Sequence, residues 1–359
     1  MRFKTARFFQ FRNMHQGALN LDQKDHFMLG SNGQGKSNCL EAIGFVSALR
    51  SFRTHSIKPL FKKGCSEFHL FYEIEQEHLG ATEVELRVSA NQKIVRIDGD
   101  RIQRMSDFIG LFPVVPLHSG DLMILRGAPS ERRRFFDIIF ASTDREFFRA
   151  LRLYNKGLNE RNRLLKLGAQ SSALSAFEKD LAKYASLLSI KRQVGVDRIN
   201  QMLKEIYRSF AEHSEEPSLH YEPNYYSEDP TAFEKLFNES RKRDQLIGST
   251  QRGPHRDDYT LRLAVGGAKE YASDGQQRGL CVALRMAQAN YYHECLNLKP
   301  VLLIDDVLGE LDTKRRESFW KVCPKDLQII ASGTEPPASL KERNWAIWSV
   351  VNGAFQLTD

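Results

Sequence analysis

The sequence predicts an α/β fold in which a strand-rich lobe is interrupted by a mainly helical insertion. Three observations carry this prediction. Strand-period segments fill the first third of the 359 residues and return from Asp258 onward. Helix-period segments fill the middle. Near the C-terminus, "VLLIDD" (Val301 to Asp306) opens with an unbroken apolar run, Val301 to Ile304, the pattern of a strand buried on both faces of a parallel sheet. A chain of this length forms about two domains. The boundaries that follow are residues 1–125 plus 251–359 for the strand-rich lobe and 126–250 for the insertion.

The elements follow in order. "HFMLG" (His26 to Gly30) reads as a buried strand entering a glycine loop. "FHLFYEIE", "EVELRVS" and "KIVRIDG" read as strands, the last ending at the Asp98-Gly99 turn, and "FPVVPLHS" as one more. From about Ser130 the period becomes helical. Phe147, Leu151, Tyr154 and Leu158 form one stripe. Leu174, Phe177, Leu181, Tyr184 and Leu188 form a second, and Ile199, Leu203, Ile206 and Phe210 a third. Pro217 ends the block. Asp229-Pro230 is an N-cap followed by the first helical position, with Phe233, Leu236 and Phe237 as the buried face. "DYTLRLAV" alternates as a strand. A helix follows it with Leu280, Leu284, Ala287 and Tyr291 on one side. "LQIIAS" is another buried strand, and "SVVNGAFQL" a hairpin turning at Asn352-Gly353.

Composition narrows the function classes. The formal charge is +7, from 52 basic and 45 acidic residues. That excess fits a polyanion partner and equally a plainly soluble basic protein. The five cysteines are scattered without a CxxC pair, which argues against a zinc site and a disulfide framework. Reduced thiols in a cytoplasmic compartment are expected. The first residues lack the apolar run of a signal peptide, and no stretch is long enough to span a bilayer, so no membrane association is expected.

"GSNGQGKS" fits the pattern G-x-x-x-x-G-K-[ST] in full: Gly30, Ser31, Asn32, Gly33, Gln34, Gly35, Lys36 and Ser37. It lies between a strand and a helix, the context that gives this motif its meaning. Glycines let successive backbone N–H groups converge on phosphate oxygens. The helix start adds its dipole. Lys36 is expected to neutralise the β- and γ-phosphates of ATP, and Ser37 to offer its hydroxyl to Mg²⁺. At the end of "VLLIDD", Asp305 is expected to hold Mg²⁺ through water, and Asp306 to orient the attacking water or take its proton. The alternative is a pair of helix N-caps. In the following "GELD", Asp312 suits a cap in either case.

"YASDGQQRGL" (Tyr271 to Leu280) admits two readings. Ser273 or Asp274 is a helix N-cap with Gly275 as a turn residue. Or Ser273, Gly275 and Gln276 form an anion clamp at a helix start. The order of phosphate loop, this stretch and the paired acids resembles the ABC-type ATPases, which are P-loop NTPases. In them such a signature turn meets a nucleotide held by a partner subunit, which implies a head-to-tail homodimer with two composite sites.

The resemblance is closer to one branch, the RecF family of bacterial recombination-repair proteins, and covers nearly the whole chain. "FRN" (Phe11 to Asn13), "NGQGKSNCLEAI", "GAPSERRRFFD", "LNERNRLLK", "GPHRDD", the S-x-G-Q-Q stretch and "LLIDDVLGELD" are similar to that family's motifs, in order. There are departures. Ser37 stands where threonine is common, and Gly309 where serine is common. "HSGD" (His118 to Asp121) lacks a frequent proline, and no glutamine is evident for Mg²⁺.

The resemblance implies an ATP-dependent DNA-binding protein of recombinational repair and replication-fork maintenance. It implies dimerisation on ATP at single-strand/double-strand gap junctions, release by slow DNA-stimulated hydrolysis, and RecO and RecR as partners in loading recombinase. It places Arg12 and Asn38 with the loop among the ATP-binding residues. It makes Lys36, Asp306 and a late sensor hydroxyl catalytic, the last Thr334 in "ASGT" with Ser332 as the alternative. Asp306, a methylene shorter than the glutamate usual in ABC-type ATPases, suits a switch rather than a motor. Arg132, Arg133, Arg161 and Arg241 are candidate DNA contacts, with a solvated face as the alternative. "GPHRDD" reads either as a site beside phosphate or as a structural polar network. Rival readings are a transporter ATPase subunit, a binding module that only uses ATP as a prop, and an SMC-like ATPase. The large insertion disfavours the first, and the lack of a sustained heptad run the last.

Overall fold

Along the chain, β1 (Arg2–Phe11), β2 (Met14–Asn20) and β3 (Asp25–Leu29) precede the glycine loop, and α1 (Lys36–Ala48) follows it. β4 (Glu67–Gln76), β5 (Gly80–Ser89), β6 (Lys93–Ile97), β7 (Asp100–Arg101) and β8 (Val114–His118) complete the strand-rich third. The helical block comprises α2 (Leu122–Arg126), α3 (Pro129–Thr143), α4 (Arg145–Lys166) and α5 (Ser171–Tyr207), then β9 (Ser218–Glu222) and α6 (Pro230–Ile247). After it come β10 (Asp258–Leu263), β11 (Gly266–Gly267), α7 (Ala268–Tyr271), α8 (Asp274–Leu296), β12 (Val301–Asp305) and α9 (Thr313–Val322). β13 (Ile329–Gly333), β14 (Trp345–Val351) and β15 (Ala354–Leu357) end the chain. This computed structural model describes residues 1–209, 215–336 and 343–358. They fall into two compact units: Met1–Leu122, Ile206–Glu212 and Asp274–Asp359, and Met123–Glu205 with His213–Ser273.

The first unit holds two six-stranded sheets. One has the order β15-β14-β3-β13-β12-β8 and is parallel from β14 to β8. The other, β2-β1-β4-β5-β6-β7, is antiparallel. One core joins α1 to both sheets, with Phe45 and Ile43 of the helix among Phe8, Phe68, Leu303 and Ile330. Phe68 meets Phe11 and Phe45 edge-on at 5.0 and 5.5 Å. Each such ring contributes about 1.5–3 kcal/mol by leaving water. β4 alternates as its sequence does, burying Phe68, Leu70, Tyr72 and Ile74. Val301–Ile304 of β12 lie between β8 and β13, which explains why both faces of that stretch are apolar.

The second unit combines α3 to α6 with a three-stranded sheet, β11-β10-β9. Residues 251–273 belong to it, because β10 pairs with β9, Tyr259 opposite Tyr221. The alternation of Leu219 and Tyr221 in β9 was the only sequence trace of that strand. The second and third helical stripes run on as one helix, α5. Phe210 lies outside the described residues. Asp229 caps α6 by accepting from Thr231 N, with Pro230 at the first helical position.

Candidate nucleotide site

β3 delivers the chain into the glycine loop and α1 begins at Lys36. A Cβ at Gly30 would stand 2.5 Å from Val350 O, so only glycine lets β14 approach here. Gly33 and Gly35 have φ of 80° and 115°, the left-handed region that glycine enters at little cost. Lys36 is buried. Its Nζ donates to Gly30 O at 2.5 Å and Ser31 O at 3.0 Å, so the ammonium lies within the loop. The loop tip is held from the C-terminus. Gln34 Oε1 accepts from Asn352 N at 2.8 Å, and Gln34 O accepts from Gly353 N at 2.7 Å. Asn38 donates to Asn13 Oδ1 at 2.8 Å. Arg12 binds the buried Glu41 through Nε and Nη2, both at 2.8 Å, so its place beside the loop is set by α1.

The acids arrive from β12. Asp305 is level with Ser332 of β13 and His118 of β8. Ser37 Oγ donates to Asp305 Oδ1 at 2.7 Å, and Ser332 Oγ to the same oxygen at 2.9 Å. Thr334 is exposed beyond the end of β13 at Gly333. Of the two hydroxyls expected as sensor, Ser332 is the one alongside Asp305, because β13 carries it there and stops before Thr334. Asp306 takes φ 56°, rare for a residue with a Cβ, and makes no side-chain cap bond. The cap-pair alternative fails there. The cap is Asp312, whose Oδ1 accepts from Arg315 N at 2.8 Å. Burial holds the Asp306 carboxyl above the ordinary range, Asp305 adds to that and Lys36 opposes it.

The sequence reading missed His118. Its Nε2 lies 3.1 Å from Asp121 Oδ1, and Arg285 of α8 donates to the same oxygen at 2.5 Å. Burial pushes the imidazole below its ordinary range, while Asp121 pulls the other way. A histidine three residues before an acid at a strand end was the available signal.

These residues fit a magnesium–triphosphate group. Ser37 and Asp305 offer hard oxygen donors at one point, and Lys36 sits inside a loop of backbone donors. Among the described residues no cluster of three His, Cys, Asp or Glu could hold a metal by itself. Magnesium typically shares few protein ligands with phosphates and water. Gly275 and Gln276 lie in the first turn of α8, directly after Ser273.

The candidate DNA arginines divide. Arg161 is fully buried and donates to Glu178 at 3.0 Å, Asp244 at 2.7 Å, Thr250 at 2.8 Å and Phe237 O at 3.0 Å. It cannot reach DNA, because its guanidinium is consumed inside the second unit. Arg241 joins the same network through Glu178. Arg132 grips Asp258 at 2.7 and 2.9 Å, and Arg133 donates to Asp257 O at 2.7 Å. "GPHRDD" is a structural polar network. Asp257 accepts from Arg192 and Asn224 N, both at 2.8 Å, and from Tyr221. His255 bonds Tyr154 at 2.8 Å and Thr250 O at 2.9 Å. Gly253 has φ 124°, and a Cβ there would stand 2.8 Å from the Tyr154 hydroxyl. Among the described residues no helix is long and apolar enough to cross a membrane.

Comparisons with known proteins bear on the family and the fold. The family model for the RecF/RecN/SMC N terminal domain matches residues 3–337. The DNA replication and repair protein RecF of Leptospira interrogans (serovar Lai) is 36% identical over 313 residues, 86% of this chain and 85% of its own. That of Chlamydia caviae is 29% identical over 98% of this chain and 96% of its own. A solved structure of the recombination mediator protein RecF with ATP, in the RecFOR pathway, superposes with a TM-score of 0.91 at 25% identity, covering 100% of this chain and 98% of that one. An Smc head bound to the C-winged helix domain of ScpA matches with a TM-score of 0.58 at 16% identity over 100% and 98%, which speaks to the fold alone. The fold is that of an ABC-type ATPase head carrying helical segments, and the chain belongs to the RecF family.

Proposed function

We propose that this chain is an ATP-dependent DNA-binding protein of recombinational repair and replication-fork maintenance, acting in the cytoplasm. The carrying observation is the convergence of Ser37 and Ser332 on Asp305, beside a loop that encloses Lys36. Gly30 to Asn38, with Arg12 alongside, would hold ATP, and Ser37 and Asp305 would hold Mg²⁺, Asp305 through water. Bound ATP supplies an anhydride whose terminal phosphate water can remove. Lys36 neutralises charge on the β- and γ-oxygens. Asp306 orients the attacking water and takes its proton.

Ser273, Gly275 and Gln276 clamp the terminal phosphate held by a second copy of the chain, so two copies close head to tail. Loss of that phosphate removes what the clamp grips, and the pair loosens. Hydrolysis is slow, stimulated by DNA, and acts as a switch. The DNA is a gap junction between single and double strands, and RecO- and RecR-type proteins are the partners in recombinase loading. The names of the similar proteins, a DNA replication and repair protein and a recombination mediator with ATP, support this reading.

Sedimentation with and without ATP tests it. Lys36→Ala should bind no ATP and stay monomeric. Ser273→Arg should bind ATP with unchanged affinity yet stay monomeric and release no phosphate above background. A Ser273→Arg protein that pairs on ATP as the wild type does would sink the proposal.

A further inference from the structure

Gly275 and Gly279 stand four residues apart at the start of α8, on one face of the helix. Glycine is a poor helix residue, so two of them near a helix start need a reason. Both lie against a side chain from another element. A Cβ at 275 would stand 2.8 Å from Arg315 Nη1, and one at 279 would stand 3.4 Å from Arg315 Nε and 3.5 Å from its Cδ. Arg315, from the first turn of α9, lies along this strip, closest to Gly275 and at contact distance from Gly279. Asp312 fixes it from the other side. Asp312 Oδ2 accepts from Arg315 Nη1 at 2.9 Å while Asp312 Oδ1 caps α9. The segment closed by Asp312 begins at Asp306, with a single 3₁₀ turn, Val307–Glu310, between. A guanidinium near a helix N-terminus meets the positive end of the dipole, an arrangement that packing and Asp312 must hold against repulsion.

We propose that Arg315 is a positioning residue that links the acids of a protomer's own nucleotide site to the turn it offers a second copy. The segment after Asp306 shifts with the nucleotide state. Arg315 carries that shift to the first turn of α8 and so sets where Ser273, Gly275 and Gln276 stand. This rests on the reading in which those residues act on the second copy's nucleotide. It adds that each copy presents a competent clamp only when its own site is filled.

Three variants test it against Ser273→Arg as reference. Arg315→Ala should bind a fluorescent ATP analogue within about twofold of wild type, while ATP-dependent pairing weakens by roughly tenfold or more, the scale on which a central contact is felt. Turnover should fall through kcat rather than KM. Arg315→Lys should recover part of the pairing, since it keeps the charge but loses the planar fork. Gly279→Leu should reproduce the defect with the arginine intact, because its side chain fills the strip away from the clamp. If Arg315→Ala and Gly279→Leu pair normally while Ser273→Arg does not, the link is wrong and the clamp stands. If Ser273→Arg also pairs normally, the clamp itself is wrong. If Arg315→Ala loses ATP binding or melts early, Arg315 is general scaffolding and the proposal is overturned.

Discussion

Single residues in this protein act by where their neighbours put them. Asp305 accepts from two serines on two different elements, an arrangement that aims one carboxylate and leaves Asp306, one residue on, turned out by a left-handed backbone. His255 shows the same dependence. Its ring is half-buried against Tyr154 and the Thr250 carbonyl, and that burial takes its pKa from the ordinary 6.5 down to about 4. The folded chain therefore keeps it neutral while the unfolded chain protonates it below 6.5. The associated stability is fully present above 6.5 and is lost as pH falls toward 4. A gap of that width is worth on the order of 3 kcal/mol once complete. His255→Gln should show a smaller fall in melting temperature than wild type between about pH 7.5 and pH 5. Equal falls in the two proteins would contradict the assignment.

At the scale of elements, α4 illustrates how one helix carries two kinds of arginine. Tyr154, Leu158, Arg161 and Leu165 share its buried stripe, and Arg163 lies on the exposed side paired with Glu160. Arg161 ties α4 to α5 through Glu178 and to α6 through Asp244. Removing it leaves the buried Asp244 without this cation and Glu178 with Arg241 as its remaining arginine partner. Arg161→Ala should lower unfolding free energy by about 3–5 kcal/mol, measured by denaturant titration. Arg163→Ala should change it by less than about 1 kcal/mol, the range of exposed pairs. Similar losses in both would show that the buried network contributes little.

For the whole molecule, the excess of +7 charges has no groove-reading motif to serve, so phosphate contacts are expected to dominate DNA binding. With ATP present, affinity for gapped duplex should fall by about tenfold for every two phosphate contacts when salt rises fourfold. Fluorescence anisotropy across a salt series reads this directly. An affinity indifferent to salt would require a different mode of recognition. Surface charge rather than total charge decides the footprint, and Arg161 is withdrawn from it by burial.

What the sequence determined by itself is local. The glycine loop, the apolar strand ending in acids, the Asp229 cap and the Asn352-Gly353 turn each depend on neighbouring residues, and each stands where the period and spacing put it. The stripe through Tyr154 and Leu158 runs on to Arg161, whose charge ordinarily belongs on a surface. Only the tertiary structure decided what comes from far along the chain. It placed Ser332 on Asp305, set His118 opposite Asp305, paired β10 with β9 and laid Arg315 along two glycines. A strand's alternation says which faces it has, never which strand lies beside it, and long-range neighbours are what aim a side chain.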